Sequence, residues 1–118
     1  MRVAIADDHK LFARSLADIL QLRHGMEILW VSHDGENFLD RIKNSPILPE
    51  VILMDIQMQP LDGIEVLQAL QEIHPEIPVL MITMEDDPAK LELAFSSGAA
   101  GLVLKSNDLS ELTLAIQS

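Results

Sequence analysis

Three aspartates, a threonine and a lysine carry the chemistry open to this chain. Asp7 and Asp8 follow Arg2-Val3-Ala4-Ile5-Ala6, and Asp55 ends the run Val51-Ile52-Leu53-Met54-Asp55. Thr83 ends Pro78-Val79-Leu80-Met81-Ile82-Thr83, and Lys105 follows Gly101-Leu102-Val103-Leu104. Each stands where an apolar run stops. Carboxylates brought close together repel, and all of them stay ionised only with a cation among them. A ligand set made of oxygen alone selects a hard ion, Mg²⁺ or Mn²⁺, that keeps several waters. A lysine ammonium is no metal ligand; like a hydroxyl, it donates to anions. Metal, ammonium and hydroxyl around one carboxylate form a receptor for a phosphoryl group, with the carboxylate as nucleophile. The product of that transfer is an aspartyl phosphate.

Such residues meet only if the elements carrying them line up. Continuous apolar runs read as strands buried on both faces, as in the middle of a parallel sheet. Glu27 to Ser32 reads as a further strand, and Asp34-Gly35 as its turn. Between the strands, apolar residues recur at helical spacing. Phe12, Leu16, Ile19 and Leu20 precede Gly25; Phe38, Leu39 and Ile42 precede Ser45-Pro46; Ile64, Leu67, Leu70 and Ile73 precede Pro75. Leu91, Ala94 and Phe95 follow the helix start Asp87-Pro88, and Leu109, Leu112 and Ile116 follow Asp108, with Glu111 placed for a capping box. Strand and helix alternate throughout. The pattern predicts an α/β fold, a single doubly wound five-stranded parallel sheet in the order 2-1-3-4-5, flavodoxin-like (βα)5. Strands one and three are then neighbours, and Asp7, Asp8 and Asp55 open into the crevice between their carboxyl ends. Thr83 and Lys105 come from the next two strands along the same edge.

The composition narrows the function. At 118 residues the chain is one domain, 48% hydrophobic, with no apolar stretch long enough to cross a bilayer. Eight Lys and Arg against 19 Asp and Glu give a net charge of −11, which argues against direct contact with a phosphate backbone. The chain has no cysteine, so disulfides and thiolate metal sites are excluded and a cytoplasmic location fits. No glycine-rich phosphate loop follows the first strand, which disfavours a nucleotide-binding domain.

On these residues the chain resembles, over essentially its whole length, the receiver domain of two-component response regulators. Asp7-Asp8 matches the acidic pair of that family, Asp55 its phosphorylated aspartate, Thr83 its switch hydroxyl and Lys105 its lysine. Asp62-Gly63 matches its third-loop Asp-Gly. Ala6-Asp7-Asp8-His9-Lys10-Leu11-Phe12 and Gly98 through Ser106 look most like the LuxR-type subgroup, which carries a helix-turn-helix output domain. The resemblance implies that Asp8 holds Mg²⁺ directly and Asp7 largely through water, with Asp55 and the backbone carbonyl of Gln57 completing the set. It implies a sensor histidine kinase as donor, with Lys105 and Thr83 holding the transferred oxygens. Gln57 and Glu85 would flank the water that later removes the phosphate. Residues 1–118 are then a receiver alone, with DNA bound only through an output domain absent from this chain.

The chain departs from the family pattern at three places. Gln59 stands where proline is usual, with Pro60 one residue later. Met84 replaces a small residue after Thr83 and could cover the pocket. Leu102 replaces an aromatic, which removes an aromatic-flip switch. Leu93 and Leu114 fall away from the core face of their helices and suggest a homodimer contact. His9 reads as a helix-start residue at the pocket rim, His33 as a surface residue and Trp30 as packing. Two other functions compete: a degenerate receiver acting as a phosphorylation-independent interaction module, and a Mg²⁺-dependent phosphatase. The phosphatase needs a second carboxylate as general acid two residues past the nucleophile, and Gln57 stands there.

Overall fold

The computed structural model describes residues 1–84 and 87–105. In chain order the elements are β1 (Arg2–Ala6), α1 (Lys10–His24), β2 (Glu27–Ser32), α2 (Gly35–Asn44), β3 (Val51–Asp55), α3 (Gly63–Ile73), β4 (Val79–Thr83), α4 (Pro88–Ser96) and β5 (Gly101–Leu104). The strands pair in parallel in the order β2-β1-β3-β4-β5, as expected from the alternation. The helix expected after Asp108 lies outside the described residues.

Strand alternation divides the core in two. Val3, Ile5, Val51, Leu53, Leu80, Ile82 and Val103 face α1 and pack on its Ala13, Leu16, Ala17 and Leu20. Ala4, Ala6, Ile52, Met54, Val79 and Met81 face the other side, against Phe38 and Ile42 of α2, Ile64, Val66, Leu67 and Leu70 of α3, and Ala94 of α4. Both faces of β3 and β4 are covered, which is why they read as unbroken apolar runs. Each fully buried Leu or Ile contributes about 1.5–3 kcal/mol relative to exposure.

Local chemistry sets the helix ends. The α1 helix stops at Gly25, whose φ of 62° is the left-handed conformation that a C-terminal glycine adopts freely. Asp62 caps α3 in a reciprocal capping box with Glu65, and Asp87 caps α4 ahead of Pro88. Asp34 and Gly35 are not a free turn. Asp34 caps α2 by accepting from Asn37 N at 2.7 Å, and Gly35 is the first helical residue.

Two residues expected on inner faces lie outside. Phe95 is 53% exposed and Ile73 is 39% exposed. In α4 the buried stripe is as narrow as Ala94, and at about 100° per residue both Phe95 and Leu93 fall off its edges. Ile73 ends a series spaced by three, and such a series drifts around the helix until its last member leaves the stripe. Leu93 is exposed, as expected; Leu114 lies outside the described residues.

Candidate phosphorylation site

Alternation along the strands brings the site together. Asp7, Asp55 and Lys105 continue the parity of Val3 and Ile5, of Val51 and Leu53, and of Val103, so all three are on the α1 side of the sheet edge. Lys105 Nζ lies 3.1 Å from Asp7 Oδ1, 2.9 Å from Asp7 Oδ2 and 3.2 Å from Asp55 Oδ2. One ammonium thus bridges two carboxylates that are 1% and 2% exposed. The backbone fixes its position: Lys105 N–H donates to Thr83 O at 2.8 Å, which ties the start of the β5 loop to the end of β4.

Asp7 is held from several directions. Its N–H donates to Ser32 O at 2.9 Å, and its Oδ1 accepts from His9 N–H at 2.8 Å. His33 Nδ1 lies 3.0 Å from its carbonyl oxygen; since that oxygen only accepts, Nδ1 carries the proton. His33 is exposed, as its place at the end of β2 suggests. Its link to Asp7 spans two strands and has no signal in local sequence.

Asp55 Oδ1 accepts from Gln57 N–H at 3.2 Å. Gly63 lets the loop fold back over the end of β3, its N–H donating to Ile56 O at 2.8 Å. A Cβ at position 63 would collide with the Asp55 carbonyl oxygen and stand 2.9 Å from Ile56 Cα. Both are backbone atoms and cannot rotate away. Gly63→Ala is therefore expected to cost about 3 kcal/mol or more, the upper end for overpacking. Urea unfolding would show it as a lower midpoint.

The electrostatics are those of crowded acids. Burial, then the charge of Asp7 and a hydrogen bond shared with it, push the Asp55 carboxyl up to about 7, although Lys105 pulls the other way. Oxygens of Asp7, Asp8 and Asp55 lie within 4.8 Å of one another, Asp8 being the exposed member. Asp7 Oδ2 is buried, and beyond its ion pair with Lys105 Nζ it accepts no hydrogen bond among the described residues. A buried, under-coordinated carboxylate oxygen among three acids fits a divalent cation held by oxygens.

The remaining expected residues spread around this centre. Thr83 is fully buried at the end of β4, with the opposite strand parity to Asp55. Met84 is 64% exposed. Leu102 is half-buried and packs against the α2/α3 core. Glu85 lies outside the described residues. Beside Asp8 opens a cleft of about 500 Å³, lined by Ile56, Gln57, Met58, Gln59, Asp62 and Lys90.

With that geometry in place, comparison with known proteins defines the class. The response regulator receiver domain model matches residues 3–117. The chain belongs to this family. It is 34% identical over 116 residues to a protein named as the probable transcriptional regulatory protein NarL of Mycobacterium tuberculosis, an alignment covering 98% of this chain and 53% of the relative. With the transcriptional regulatory protein DegU of Brevibacillus brevis it shares 32% identity over 117 residues, 99% of this chain and 49% of the relative. The chain thus spans about half the length of these curated relatives. The solved signal receiver domain of M. tuberculosis NarL superposes with a TM-score of 0.89 at 34% identity, covering 98% of this chain and 92% of that one. A LuxR-family DNA-binding response regulator from Staphylococcus aureus gives a TM-score of 0.90 at 27% identity, covering 98% and 95%. Among the described residues, no helix is long and apolar enough to cross a membrane.

Proposed function

We propose that Asp55 is the phospho-acceptor of this receiver domain and that a sensor histidine kinase is its donor. The observation that carries this reading is the buried Asp7–Lys105–Asp55 bridge. A carboxylate at a strand end is held there beside a buried ammonium that it shares with Asp7. In the transfer, an Asp55 carboxylate oxygen forms a bond to phosphorus while the bond from phosphorus to the donor's imidazole nitrogen breaks. The electron pair of the broken bond stays on that nitrogen.

Lys105 then turns from carboxylate to phosphoryl oxygen, and Thr83 supplies its hydroxyl to another. Asp8, Asp7, Asp55 and the Gln57 carbonyl would hold Mg²⁺, with Mn²⁺ as a substitute. Bound there, the ion keeps the acids ionised and offsets charge on the transferred group. The chain changes only its own phosphorylation state; loss of the phosphate by attack of water is part of the same proposal. Gln57, Met84, Glu85 and Leu102 are assigned as modulators. The high exposure of Met84 means that any shielding it gives comes from the solvent side.

The output is assigned to transcription, through a DNA-binding domain outside residues 1–118, by analogy with the relatives named as transcriptional regulators. A cytoplasmic location accords with that role, and Leu93 remains the described residue proposed for a homodimer contact. The intact lysine bridge weighs against a degenerate module.

Metal binding tests the site directly. Mg²⁺ at a hundredfold excess over its dissociation constant is expected to stabilise the domain by about 2.7 kcal/mol. Asp8→Ala should remove most of that gain, since Asp8 is exposed and outside the lysine bridge. Thermal melts with and without Mg²⁺ measure both. Equal shifts in the two proteins would move the ion elsewhere. Mg²⁺-dependent binding of beryllofluoride by the wild type, absent from Asp55→Asn, tests the phosphoryl pocket itself.

A further inference from the structure

We propose that Phe12 is a positioning residue for the phosphotransfer: the face of its ring holds the Lys105 ammonium in place. This rests on the reading of Asp55 as phospho-acceptor. Lys105 Nζ lies 4.9 Å from the centroid of the Phe12 ring, with Asp7 and Asp55 as its carboxylate partners. The lysine side chain is 6% exposed, so the ammonium has little water to turn to. A desolvated cation over an aromatic face is attracted by the ring's quadrupole.

The ring offers no acceptor atom. It steadies the ammonium without competing for the N–H groups that an incoming phosphoryl oxygen must take. An amide or carboxylate in the same place would capture one of them.

The fold holds the ring as well. Phe12 lies in the first turn of α1, one turn before the buried Leu16, and packs against the α1-side core. The His9 ring stacks on it, centroids 6.3 Å apart and planes 20° from parallel, while the His9 N–H is bound to Asp7 Oδ1. Core, ring, ammonium and carboxylates thus form one contiguous set. From its spacing alone Phe12 belongs to the apolar stripe, which accounts for its packing and not for the cation above it.

The test is the first-order rate constant for phosphorylation by acetyl phosphate with Mg²⁺, in wild type, Phe12→Leu, Phe12→Tyr, Lys105→Ala and the double variant Phe12→Leu/Lys105→Ala. Phe12→Leu is expected to be about tenfold slower, the scale of one desolvated cation–π contact. Phe12→Tyr should remain within about twofold of wild type because the π face is kept. In the Lys105→Ala background, Phe12→Leu should cause no further loss. Equal slowing by Leu and Tyr, or the same loss with and without the lysine, would reduce Phe12 to packing and overturn the proposal.

A second readout needs no phosphorylation. The ¹⁵N-correlated ammonium signal of Lys105 should be shifted upfield by the ring in wild type and Phe12→Tyr, and return to an ordinary position in Phe12→Leu. An identical signal in all three would refute the contact. A wild type that shows the ring shift but takes no phosphoryl group would overturn the reading of Asp55, and the phosphotransfer role of Phe12 with it.

Discussion

Asp55→Asn is expected to take up no phosphoryl group from acetyl phosphate and Mg²⁺ under conditions where the wild type does. The amide keeps the shape of the carboxylate and can still accept from Gln57 N–H, which lies 3.2 Å from Asp55 Oδ1. It lacks the anionic oxygen that attacks phosphorus, so the loss should be complete rather than graded. Asp7 and Asp8 remain, yet neither replaces it. Asp7 is already engaged by Lys105 and the His9 N–H, and Asp8 is exposed and outside the lysine bridge. Intact mass reports the adduct. Asp55→Asn carrying it at wild-type yield would remove Asp55 from the mechanism.

The same substitution should raise stability when metal is withheld. A carboxyl pushed up to about 7 binds its proton more tightly in the folded chain than in the unfolded one, where its ordinary value is 3.8. Between those values the folded state carries more protons, so stability falls as pH rises and levels off above the upper value. Asparagine does not titrate and lacks this slope. In a chelator, Asp55→Asn and wild type should be nearly equally stable near pH 4. The variant should be ahead near pH 8 by an amount on the order of a few kcal/mol. Urea midpoints across that range measure it. A constant gap would show that Asp55 does not carry the strain, and a gap of opposite sign would show that Lys105 outweighs burial and Asp7 together. Adding Mg²⁺ should narrow the gap, because the ion relieves the repulsion at Asp55, which the variant lacks.

Both expectations turn on how the strands end, and much of that was legible in the sequence. Runs such as Val51–Asp55 and Val79–Thr83 are apolar on both faces, which a centrally placed parallel strand requires. Five such runs alternating with helical stripes leave few topologies, and the order found is the one expected. The acids, the threonine and the lysine announced themselves by standing where those runs stop. Gly63 was legible as part of a motif, but its steric reason was not. The clash that a Cβ there would make with the Asp55 carbonyl depends on how the loop folds back.

What only the tertiary structure decided is which groups touch. Periodicity assigns a residue to a face, and a face has an edge that spacing does not locate; hence Phe95 and Ile73 proved exposed. The bond between His33 and the Asp7 carbonyl joins groups 26 residues apart, and the Lys105–Asp7 bridge joins groups 98 apart. Partners so distant are set by sheet order and register. Phe12 shows the difference most clearly. Its type and spacing call for burial, and it is packed as they require. Only the packing of α1 on this face of the sheet puts its ring beside the ammonium. Sequence carries the period of each element; the choice of neighbours comes from the packing of all of them at once.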